Sequence, residues 1–139
     1  MADLSSGGVR IRRERLATLA RFWWALLCAF IIYGSLGTWN FHERGIWEPT
    51  LVSLPDVIIN ILIYLAFGAL GALALRDTYQ GHWLRLVIRL AVLAVLFSAV
   101  NEVFQLYTID RVASLTDIVS AAIGAFGGGV TLAAGRVPR

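Results

Sequence analysis

The chain carries four long, unbroken apolar runs, and they constrain it more than anything else in its sequence. They cover about residues 22–39, 56–75, 84–107 and 117–134. About 20 such residues wound as a helix cross the hydrocarbon of a bilayer. Lipid cannot satisfy exposed backbone groups, so a spanning segment must be a helix or part of a closed barrel. None of the runs shows the period-2 alternation of barrel strands, so each is expected to be a helix. Composition agrees: 58% of the 139 residues are hydrophobic, 15% are charged and the mean hydropathy is +0.73. A soluble domain has about 25% charged residues. Disorder is excluded by the apolar content, and a disulfide scaffold by Cys28 being the single cysteine. The expectation is an all-α membrane protein, a four-helix transmembrane bundle.

The arginines orient it. Arg10, Arg12, Arg13, Arg15 and Arg21 precede or open the first run. Arg76, Arg85 and Arg89 border the connection between the second and third, and Arg136 and Arg139 end the chain. Only Arg44 and Arg111 fall on the opposite side. Positive residues stay inside, so both termini are expected in the cytoplasm. The organisation is then a basic cytoplasmic tail at 1–21, a transmembrane domain at 22–134 and a short cytoplasmic tail at 135–139. Trp23, Trp24 and Trp83 fall at the inner interface, and Trp39 and Trp47 at the outer. The Arg12-Arg13 pair before an apolar stretch also fits a secretion signal, but the run is long for one and three further spans follow. The basic residues are spread between apolar runs rather than massed on a surface, so nucleic acid is not expected as a partner.

The acids are uneven. Asp3, Glu14 and Asp77 lie inside; Glu43, Glu48, Asp56, Glu102, Asp110 and Asp117 lie outside or near the outer boundary. Glu43, Glu48 and Asp110 read as solvated loop charges. Asp56 and Asp117 each close a Ser-Leu-x-Asp string, Ser53 to Asp56 and Ser114 to Asp117. That resembles a capping box, with Ser as N-cap and the acid at the third helical position. Glu102 has no such local role. It lies about 7.5 Å inside the outer end of its helix at 1.5 Å per residue, near the negative end of the helix dipole. An acid in that position marks either a functional site or a structural bond, for which Arg111 is the nearest candidate.

Helical spacing gathers the polar groups. Ser98, Glu102 and Gln105 share one face of the third helix, and Asp56, Asn60 and Tyr64 one face of the second. Such faces are costly against lipid, so they are expected to turn inward, toward each other and Asp117, as a polar pocket in the outer half. Small residues support close packing: Ser120-x3-Gly124-x3-Gly128, with Gly127 and Gly129 beside it, and Gly68-x3-Ala72. The glycine run lacks the Lys-Ser/Thr of a phosphate loop. His42 and His82 fall on opposite sides, and no catalytic triad is visible. No metal and no cofactor is expected.

Asp56-x3-Asn60-x3-Tyr64-x3-Gly68, Glu102-x2-Gln105 and Arg111-x2-Ser114-x2-Asp117-x6-Gly124, with Tyr33-x-Ser35-Leu36 in the first helix, together resemble the VanZ-like family. The likeness covers about residues 25–130. It implies a bacterial inner-membrane protein of the cell envelope, and the family's namesake is associated with resistance to the glycopeptide teicoplanin. Two positions depart from the family. Ala121 stands where an Asn is frequent, and Leu65-Ala66-Phe67 where a Pro often precedes the glycines.

Three functions stay open on these residues. The pocket of Asp56, Asn60, Tyr64, Ser98, Glu102, Gln105, Arg111 and Asp117 binds the head group of an envelope lipid or lipid-linked precursor. Alternatively, Asp56, Glu102 and Asp117 supply acid–base chemistry on a lipid-linked substrate. In a third reading the chain is a small transporter or assembly partner, for which a homo-oligomer would provide room.

Overall fold

The computed structural model describes residues 4–35, 53–79, 82–107 and 114–134. Four helices account for most of them: α1, Leu4–Ser35; α2, Leu54–Leu75; α3, Trp83–Gln105; and α4, Leu115–Ala134. A 3-10 turn, Arg76–Tyr79, ends α2. All four helices are long and apolar enough to cross a membrane. Among the described residues no strand occurs.

The first helix begins earlier than its apolar run. Residues 10–21 are rich in Arg, Leu and Ala, which are strong helix formers, and they continue α1 back to Leu4. At 32 residues it is about 48 Å long, against about 30 Å of hydrocarbon. Its candidate span covers Ile11–Gly34, so the basic stretch taken for a tail is helical.

Two helix starts test the capping pattern and differ. Ser53 occupies the N-cap of α2 with extended backbone (φ −79°, ψ 112°), and its carbonyl accepts the Val57 N–H at 3.1 Å. Its hydroxyl makes no cap bond. Pro55 at the second helical position has no N–H to offer it, and the Asp56 N–H at the third, which a capping box uses, is not bonded by it either, so the expected capping box does not form here. At α4 the Ser114 hydroxyl does cap, accepting the Thr116 N–H at 3.2 Å.

Contacts fix an up–down–up–down order. Arg21 donates through Nε to the Ala74 carbonyl at 3.1 Å, and Trp24 lies 5.3 Å from Phe67 ring to ring. These pairs run α1 antiparallel to α2. A Cβ on Gly124 would meet the Ile61 carbonyl at 2.5 Å, while one on Gly128 would strike the Leu65 carbonyl and one on Gly68 the Ala125 carbonyl. These contacts run α2 and α4 parallel with their backbones touching, the most extensive helix pair in the molecule. The small-residue stripes on both helices permit that approach. Gly127 is different: nothing lies within 4 Å of its Cβ position. Gly129 faces Val87 and Gly71 faces Leu90, which brings α3 in antiparallel to both.

The molecule turns its apolar side chains outward. Leu62, Leu96, Val103 and Phe126 are all exposed, whereas soluble monomers rarely show contiguous apolar patches above a few hundred Å2. Inside, Ile31, Tyr64, Phe67, Ala94, Ala121 and Ala125 form the core.

Candidate functional site: a buried polar cluster between α2, α3 and α4

The interior of the end where α3 finishes and α4 begins is polar. Ser98, Asn101, Glu102 and Gln105 are all buried on one face of α3, at the i, i+3, i+4, i+7 spacing that aligns them. Their exposed neighbours Val100, Val103 and Phe104 are apolar. Tyr64 of α2 is buried opposite, its hydroxyl facing the side chains of Ser98 and Asn101 in the field of Glu102 and Asp117. Ser120, one turn along α4 from half-buried Asp117, is buried too.

Glu102 has a definite structural partner. Its Oε2 accepts the backbone N–H of Ser114 at 2.6 Å. In a capping box that N–H goes to the third helical residue, which here is Asp117. Asp is one methylene shorter than the Glu or Gln the box uses, and a carboxylate from α3 takes the bond instead. Ser114 is thereby held three ways: N–H to Glu102, Oγ to the Thr116 N–H, and Oγ to the Thr116 hydroxyl at 2.5 Å. The negative carboxylate sits at the positive N-terminal end of α4. The dipole that disfavours Glu102 within its own helix is offset by that of its neighbour.

Asn101 is the unsatisfied member. Its Nδ2 is buried with no hydrogen-bond partner, although the residue is only 5% exposed. Stranding such a donor costs about 1–3 kcal/mol. The indole Nε1 of Trp24 is in the same state, but it stands beside Gly71 and packs on apolar Leu90 and Phe67. Polar surroundings can order a water or a ligand group, and apolar ones stay dry. The Asn101 donor is therefore positioned to receive an acceptor, and the Trp24 donor is not.

Of the eight residues expected to converge, Tyr64, Ser98, Glu102, Gln105 and Asp117 lie in or at the edge of this cluster. Asn60 is half-buried on α2 and Asp56 is exposed at its start. Arg111 lies outside the described residues. Sequence reasoning missed Asn101 and Ser120. The spacing Ser98-x2-Asn101 reaches the first, and Asp117-x2-Ser120 the second. Among the described residues no group of three or more His, Cys, Asp or Glu could hold a metal ion. Comparison with known proteins adds no relative: no family model, no curated protein and no solved structure matches this chain.

Proposed function

We propose that this chain is a VanZ-like integral membrane protein of the bacterial envelope. Its buried polar cluster receives the head group of an envelope lipid or lipid-linked precursor. The observation that carries this reading is the Asn101 Nδ2, a buried donor that makes no hydrogen bond although Ser98, Glu102 and Gln105 share its face of α3. Hydroxyl and carbonyl oxygens of a sugar or peptide head group would supply the missing acceptor. Catalysis by Asp56, Glu102 and Asp117 is the weaker reading. Asp56 is exposed, and Glu102 is committed to the start of α4.

The test uses Asn101→Leu, which keeps bulk and removes the donor. Native mass spectrometry of the full chain, incubated with a polyprenyl-linked envelope precursor, should show retention by wild type. The variant should retain about tenfold less, the worth of one hydrogen bond. Its thermal stability in detergent should match or exceed wild type, since an unsatisfied group has gone. Equal retention by a stable Asn101→Leu protein would remove the cluster as the binding site.

A further inference from the structure

The opposite end of the bundle carries the positive charge. Helices α1, α2 and α3 meet at Gly71, whose Cβ position is 2.5 Å from Leu90 Cδ2 and 3.3 Å from the Trp24 ring. Arg21 lies one turn from Trp24 on the same face of α1, and Arg89 adjoins Leu90. Both guanidiniums are anchored. Arg21 is fixed by the Ala74 carbonyl at the end of α2. Arg89 lies 4.9 Å over the Tyr79 ring and also donates to its hydroxyl. Arg85 sits one turn before Arg89 on the same face of α3, and Arg76 opens the turn between the two anchors.

Among the described residues none of these four arginines has a carboxylate partner. Each anchored one gives one N–H type to its anchor, and a guanidinium has five N–H donors. Arg76 and Arg85 are exposed, and neither makes a hydrogen bond or ion pair among the described residues. Exposed apolar and aromatic side chains adjoin them: Phe22 and Trp23 beside Arg21, and Trp83, Leu84 and Ile88 beside Arg85 and Arg89. Fixed guanidinium forks next to a lipid-facing apolar wall suit a group that is anionic at one end and hydrocarbon at the other. Guanidiniums match phosphate oxygens bidentately, and basic pockets between membrane helices take anionic lipid head groups.

We propose that Arg21, Arg76, Arg85 and Arg89 form a second site, separate from the polar cluster, that holds the phosphate of an anionic phospholipid. Its acyl chains lie along the exposed faces of α1 and α3. The anchored Arg21 and Arg89 orient the head group across the end of α2, and Arg76 and Arg85 close on it.

The experiment is native mass spectrometry of the full chain after detergent exchange with phosphatidylglycerol or phosphatidylcholine. Arg76→Gln/Arg85→Gln is the test variant, because neither side chain bonds to the protein and folding should survive. Arg12→Gln/Arg13→Gln removes the same charge from α1 further from the site. Wild type should retain phosphatidylglycerol over phosphatidylcholine. The test variant should lose about 30-fold in retention, equivalent to about 2 kcal/mol at about 1 kcal/mol per arginine, and the control pair should lose little. Equal losses in the two variants would mean diffuse attraction and overturn the site. So would equal retention of phosphatidylcholine. Displacement of the lipid by millimolar inorganic phosphate would reduce the site to a small-anion site and overturn the lipid assignment.

Discussion

At the scale of single residues, Glu102 ties two helices together through one hydrogen bond. Its 2.6 Å bond to the Ser114 N–H satisfies one of the donors a helix start leaves over. Glu102→Ala strands that donor and should cost about 1–3 kcal/mol. Glu102→Gln keeps an acceptor and loses the charge, and the loss of dipole attraction is offset by the end of charge burial. It should stay within about 1 kcal/mol of wild type. Thermal unfolding of both variants in detergent separates them, and an Ala variant as stable as wild type would refute the cap. The identity of Glu102 as an unusual acid was legible, because a carboxylate stands out from an otherwise apolar run. Its partner was not. The bond crosses from the end of α3 to the start of α4, and no helical spacing encodes a pairing of residues twelve apart in sequence.

At the scale of elements, the glycines of α4 show what sequence fixes and what packing decides. The small-residue spacing correctly marks a close helix contact, because only small side chains let backbones touch. It does not say which glycines face the partner. Gly128 lies against the Leu65 carbonyl, and Gly127 faces open space. The rotation of α4 about its axis is set by α2 and α3 together, so neighbouring identical residues separate. Gly128→Ala should force α2 and α4 apart and cost about 1–3 kcal/mol, the usual penalty of overpacking. Gly127→Ala should be neutral or stabilise by up to about 1 kcal/mol through helix propensity. Unfolding midpoints in one detergent compare them directly. Equal destabilisation by both would mean that the interface is drawn on the wrong face. The start of α1 was illegible for a related reason: arginines at positions 12, 13 and 15 break the apolar run without breaking the helix.

At the scale of the whole molecule, the fold gathers arginines at one end of the bundle. Arg21, Arg76, Arg85 and Arg89 gather at the end where α1 and α3 face the close of α2. Parallel packing of α2 on α4 puts Asp56 and Asp117 at the other end, the one that also holds Glu102. With four candidate spans in alternating directions, the start of α1 and the end of α4 fall on the arginine-bearing side. Arginine near a span is retained on the cytoplasmic side during insertion, and carboxylates weigh little in that choice. We therefore expect both termini in the cytoplasm and the polar cluster in the periplasmic half. Alkaline phosphatase needs disulfides, which form in the oxidising periplasm, so it reports the side directly. Fused after Arg139 it should be inactive, and inserted within 108–113, the connection between α3 and α4, it should be active. Activity at the C-terminus with none at the α3–α4 connection would invert the molecule. The polar cluster would then lie in the cytoplasmic half, and the head group proposed for it would have to be one presented on that side.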